Sequence, residues 1–161
     1  MDKKITETLE RSENVREIFE LVKETVNLTL RESRAGINLG LMELGNGERG
    51  ITNAFYPVGS NVIVLNKSAI RRIMQTDSDF LKPYLFTILL HEYLHSLGYF
   101  DERTARLLTY KICLAVLGKH HVATELAKDM NKFLPLMMHP GGFPASSRIE
   151  VIEVAEDDYI G

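Results

Sequence analysis

The chain has no tryptophan and a single cysteine, Cys113. One thiol excludes an intrachain disulfide and agrees with a reducing compartment. Cys113 sits among Ile112, Leu114 and Ala115, so it reads as a small buried hydrophobe. No stretch approaches the roughly eighteen apolar residues of a membrane span. Residues 1–7 run straight into charged side chains without the apolar core of a leader, and the expected address is the cytoplasm. A strong charge of either sign is also missing: 19 Lys and Arg face 22 Asp and Glu, a net charge of −3. From residue 140 onward five acids stand against Arg148 alone, which leaves the body of the chain close to neutral. Without clustered basic residues, nucleic acid is a poor expectation as a partner. Repeats and low-complexity tracts are absent as well, so a compact core is expected rather than a solenoid or a disordered array.

What is present is ordinary for one globular domain: 161 residues, 45% of them apolar and 25% charged. That length suffices to bury about two-thirds of the unfolded surface. Residues 12–30 carry Val15, Ile18, Phe19, Leu21, Val22 and Val26 at close to helical spacing, with Ser12 as a candidate cap. Alternation of Ile37, Leu39 and Leu41 predicts a half-buried strand within 36–44. Residues 45–50 are turn chemistry. Further strands are expected at 52–56 and 61–66, then a short helix over 67–75. Helices are also expected at 102–117, closed by Gly118, and at 121–133. The fold class is α+β, with a small mixed or antiparallel sheet in the N-terminal half packed on helices. Residues 1–139 form the domain. Residues 140–161 make an acidic tail, expected as an edge strand or loose terminus, which could alternatively lie across a cleft.

One stretch stands apart. His91-Glu92-Tyr93-Leu94-His95-Ser96-Leu97-Gly98-Tyr99-Phe100-Asp101-Glu102 ends an apolar run, 80–90, that only Lys82 and Thr87 interrupt apart from Pro83. Ionisable groups on so apolar a segment cost several kcal/mol, as a rough figure, unless something compensates them. On a helix, residues four apart differ by about 40° around the axis, so His91 and His95 project from one face toward a common point. A metal ion there would satisfy both. Glu92, about 100° round from His91, could reach a water on that ion. Two imidazoles holding Zn²⁺ and a carboxylate taking a proton from its water is the division of labour of a metal hydrolase. Asp77, Ser78 and Asp79 offer caps for this helix, Pro83 suits only its first turn, and Gly98 supplies a residue that ends it. The third ligand has two candidates, Asp101 and Glu102. Asp101 also looks like the N-cap of the following helix, which would commit its side chain, and Glu102 has the longer reach.

These residues, HExxHxxGxxDE, resemble the signature of the zincin metallopeptidases. Read as HExxHxxGxxD, the segment is similar to a metzincin variant with Asp as third ligand. That likeness implies His91, His95 and Asp101 as ligands, Glu92 as general base, and a methionine turn for which Met130, Met137 and Met138 are candidates. Read with the glutamate that opens the next helix, it is similar to the gluzincin plan of very small archaeal forms and implies Glu102 instead. Either likeness implies a minimal zincin-like domain, one catalytic zinc, a peptide or protein substrate, and a rim strand that holds it extended. Residues 62–65 are the strand to suspect, with an interior strand as the equal alternative.

Two other functions compete. A bacterial endoribonuclease family has a similar HxxxHxxGxDH segment, which implies a zinc-dependent hydrolase of RNA, but Gly usually follows its first His where this chain has Glu92. A non-catalytic zinc-binding module is the third, although Glu92 has no task in a closed structural site. Arg103 and Arg106 read first as solvated helix charges; they could pair with Glu102 or, if they face the cleft, orient a substrate carboxylate. Tyr99, Tyr110, His120, His121 and His139 are the remaining groups from which an oxyanion donor could be drawn.

Overall fold

The computed structural model describes residues 2–45 and 52–137, and the backbone of 149–151. Over these the chain is α+β. Its elements in order are α1 (Lys3–Arg11), α2 (Val15–Leu30), β1 (Asn38–Met42), β2 (Ala54–Phe55), β3 (Val62–Asn66), α3 (Lys67–Thr76), α4 (Leu81–Ser96), α5 (Glu102–Leu117), α6 (Val122–Lys128), α7 (Leu134–Met137) and β4 (Ile149–Val151). Short 3-10 turns at Ser78–Phe80 and Met130–Phe133 lead into α4 and α7.

Helix α4 is the centre of the molecule. Its first three turns bury residues on every side, Leu81, Tyr84, Leu85, Phe86, Ile88, Leu89 and Leu90 among them. A helix apolar all round is stable only when wrapped, and here α2, α5, α6 and the sheet wrap it. Phe19 of α2 meets Tyr93 edge to face at 5.8 Å. Thr87, a polar residue in this wall, is satisfied by the carbonyls of Pro83 and Ala123 at 2.8 and 3.2 Å. Truncating a fully buried aromatic such as Phe86 should cost about 3–5 kcal/mol.

The sheet runs β2-β3-β1-β4. β3 lies parallel to β1 and antiparallel to β2, and β4 pairs antiparallel with β1. Strand β3 is therefore interior, flanked on both edges, with Ile63, Val64 and Leu65 fully buried. Of the two readings for 62–65 the interior strand holds, not the rim strand, and among the described residues the edge position on the α4 side belongs to the two-residue β2. Asn66 closes this corner. Its amide donates to the carbonyls of Gly45 and Thr52, both at 2.8 Å, while its oxygen accepts from Leu44 and from Ser68 at the start of α3.

Several local expectations needed correction. Helix α2 starts at Val15 under Asn14, whose side chain accepts from the Glu17 N–H; Ser12 instead ends α1. Helix α1 went unpredicted because only Ile5 and Leu9, one turn apart, are buried on it. No side chain caps α4, because the turn at Ser78–Phe80 feeds directly into it. The helix expected over 121–133 breaks at Asp129, whose extended backbone ends α6 and whose carboxylate caps the next turn at Asn131. Helix α5 matches its expected span, with Asp101 as N-cap and Gly118 as terminator. Cys113 is buried, and burial pushes its thiol up to about 12. Strand β4 stands at the edge of the sheet opposite β2, while His139 and the rest of the acidic tail lie outside the described residues.

Candidate metal centre

Beside β2, the edge strand among the described residues, runs a cleft of about 660 Å³. Its floor is α4, through Thr87, Ile88, His91, Glu92 and His95. Residues 52–56 and Val58 form one wall; Glu102, Arg106 and Thr109 of α5, with residues 126–131, form the other. In the last two turns of α4 only His91 and His95 are part-exposed, and both face this cleft.

His91 and His95 stand one turn apart with rings 4.7 Å between centroids and nearly perpendicular. Their Nε2 atoms are 3.1 Å from each other. The tautomer of His95 follows from its other nitrogen. Nδ1 lies 2.7 Å from the Tyr99 carbonyl, an acceptor only, so Nδ1 carries the proton and the Nε2 lone pair faces the cleft. Gly98 makes that contact possible: its φ of +109° reverses the chain after α4 and brings the Tyr99 carbonyl back under the ring. Tyr99 is anchored in turn by a hydrogen bond from its hydroxyl to Glu32.

The two candidates for a third ligand are separated by their partners. Asp101 turns its carboxylate away, accepting from the Thr104 N–H at 2.9 Å and the Thr104 hydroxyl at 2.7 Å, and these bonds hold it below the usual carboxylate range. Glu102, the next residue, reaches into the cleft. Its Oε1 is 2.6 Å from His91 Nε2 and its Oε2 is 3.3 Å from His95 Nε2. Burial keeps His91 below its ordinary pKa against the opposing pull of Glu102, which favours the neutral ring that a metal needs.

Glu92 is 9% exposed and faces the same space. Burial first, and the neighbouring Glu102 charge second, raise it to about 8, while a backbone hydrogen bond from Tyr56 opposes them. A cation nearby would pull it down again. His91, Glu92 and His95 together offer donor atoms within 4.8 Å of one another, a group that could hold a metal ion.

Two residues that build this site were missed in the sequence. Tyr56 borders the cleft, and its hydroxyl donates to the Ser60 carbonyl at 2.8 Å. Arg34 binds the Tyr56 hydroxyl at 2.8 Å, the Ser60 carbonyl at 2.9 Å and the Ser96 carbonyl at the end of α4 at 2.7 Å. It fastens the β2–β3 turn to the motif helix. Its partners are 22 to 62 residues away, and no local pattern announces them.

The described candidates for an oxyanion donor lie away from the cleft. Tyr99 holds Glu32, and the His121 ring accepts from the Ala123 N–H as the cap of α6. Neither they nor Tyr110 and His120 line the cleft. Among the methionine candidates Met130 lines the cleft, Met137 is buried, and Met138 is outside the described residues. Among the described residues no helix is long and apolar enough to cross a membrane. Searches of protein-family models, curated proteins and solved structures returned no match to this chain.

Proposed function

We propose that this chain is a small zinc-dependent peptidase of zincin type, with His91, His95 and Glu102 as metal ligands and Glu92 as general base. The observation that carries the reading is the convergence of one carboxylate on two imidazole Nε2 atoms, one of them held in the ligating tautomer by the Tyr99 carbonyl. Tetrahedral zinc with bonds of about 2.0–2.1 Å needs donor atoms roughly 3.3 Å apart. The two imidazole Nε2 atoms, 3.1 Å apart, are close to that, and Glu102 sets a different oxygen toward each of them, Oε1 2.6 Å from His91 and Oε2 3.3 Å from His95, so a small outward swing of its carboxylate supports a third donor. Asp101 is left with its capping role.

Zinc, when bound, supplies Lewis acidity, which polarises a substrate carbonyl and brings the pKa of water to about 7. Everything else falls to the chain. Glu92, fixed by the Tyr56 backbone and shielded from bulk water, takes the proton of the attacking water and returns it to the leaving amine. Strand β2, at the edge of the sheet among the described residues, offers main-chain groups to an extended peptide along the cleft. Glu92 lies beside the ligand face without needing to be a ligand, which suits peptide hydrolysis better than a closed structural site.

The test is Glu92→Gln, which preserves shape and removes the base. Casein hydrolysis should fall by about 10²–10⁴-fold while one zinc per chain is retained. Undiminished hydrolysis would remove Glu92 from the mechanism. Cleavage of structured RNA in place of casein would shift the reading to a nuclease, and bound zinc with no turnover on either would leave a binding module.

A further inference from the structure

Glu102 and Arg106 are successive turns of one face of α5, and both line the cleft, whereas Arg103 does not. The Arg106 side chain is 69% exposed, and its one ion-pair contact among the described residues is Glu102 Oε1 at 3.9 Å. That distance is too long for a hydrogen bond. The two Glu102 oxygens are instead turned to the imidazoles. The guanidinium therefore stands beside the reacting centre with its N–H fork uncommitted to any protein acceptor among the described residues. A second cation, Lys128, lines the wall farther along, next in sequence to Asp129. The remaining charges close to the histidines, Glu92 and Glu102, are negative.

From this placement we propose that Arg106 selects substrates that carry a carboxylate one residue from the scissile bond, either the chain-terminal carboxylate or an Asp or Glu side chain. The proposal rests on the peptidase reading of the same cleft. A planar guanidinium pairs with a carboxylate through two parallel hydrogen bonds, a geometry that no backbone amide of a neutral peptide can satisfy. Reach agrees. From a scissile carbonyl carbon through the amide nitrogen and Cα, the next carboxyl carbon is under about 4 Å away. Arg106 Nη2 is 3.9 Å from the Glu102 oxygen that touches His91, which puts the guanidinium at the same end of the cleft as the imidazole pair. Once Glu102 is engaged by a dication, its charge no longer offsets that of Arg106, whose guanidinium is then free to attract an anion.

The experiment uses the full-length, zinc-loaded protein and four peptides of one sequence: free C-terminal acid, C-terminal amide, and internal Asp and Asn versions of the amide next to the cleaved bond. Binding is measured by calorimetry in the Glu92→Gln background, which keeps the peptides intact, with and without Arg106→Gln. Hydrolysis is measured in parallel with Glu92 present. Peptides with a carboxylate should bind and react roughly ten- to a hundredfold better than their neutral partners. The ratio should collapse toward one in Arg106→Gln and take an intermediate value in Arg106→Lys, which keeps the charge and loses the fork. Preference for the free acid identifies the chain terminus as the source, and preference for Asp over Asn identifies the side chain. An acid-to-neutral ratio near one in the parent, or one that survives Arg106→Gln, overturns the proposal even if peptides are cleaved. An Arg106-dependent binding preference with no cleavage by any variant would sustain the carboxylate site and defeat the peptidase reading alone.

Discussion

Exchanging the two adjacent acids after the turn offers the sharpest test of the metal centre, because their structural tasks are opposite. Glu102→Ala removes an oxygen pair lying 2.6 and 3.3 Å from the two imidazole Nε2 atoms and leaves two protein donors where a catalytic zinc site requires three. Losing a residue that merely supports a ligand costs about 10–100-fold in metal affinity. Losing the ligand itself should therefore cost at least about a hundredfold. Glu102→Asp retains the charge but shortens the arm by a bond of about 1.5 Å, and should fall between. Asp101→Ala acts elsewhere. It deletes the two bonds to Thr104 that start α5, so the metal-free protein should melt earlier, while zinc affinity stays within about tenfold because Asp101 touches neither imidazole. Competition against a chromophoric chelator gives the affinities, and thermal unfolding after chelation gives the stability. Glu102 is 58% exposed, so its removal should leave the metal-free melting temperature nearly unchanged. If Asp101→Ala releases zinc and Glu102→Ala does not, the proposed ligand assignment is wrong, whether or not the protein cleaves peptides.

Two further outcomes follow from groups around the site and in the core. Gly98→Ala meets no atom within 4 Å of the added Cβ, so its cost should be backbone strain alone at φ +109°, about 1–3 kcal/mol by denaturant titration, with weaker zinc binding as the Tyr99 carbonyl shifts from under His95. An unchanged denaturation curve would mean that the turn is not held as described. Cys113, pushed from 9.0 to about 12 by burial, should react with a disulfide reagent at pH 8 roughly a thousandfold more slowly in the native protein than in the unfolded one. Because its folded pKa is the raised one, the stability it contributes is whole below pH 9 and is lost as pH rises toward 12, a loss that Cys113→Ala should abolish.

What was legible in the sequence is what neighbouring residues settle among themselves. Helix α5 could be read from its first residue to its last, since Asp101 caps it, apolar residues recur along it and Gly118 ends it. The facing of His91 and His95, and the stop at Gly98, are likewise consequences of helical periodicity and of a residue that tolerates positive φ. Cleft-lining Glu92 belongs to the same local logic.

Tertiary structure decided the rest. The capping of Thr104 by Asp101 is local and could be read from the sequence; that Glu102 meets both imidazoles depends on how α5 packs against α4. A continuous apolar run at β3 reads the same in a rim strand as in a central one, and only its pairing with both β1 and β2 made it interior. Arg34, Tyr56 and Asn66 have no periodicity to betray them, because a polar residue that ties distant segments together is chosen by its partners in space. The sequence alone determined that two imidazoles would share a face; which acid meets them, and which backbone holds them still, came from the packing of elements distant along the chain.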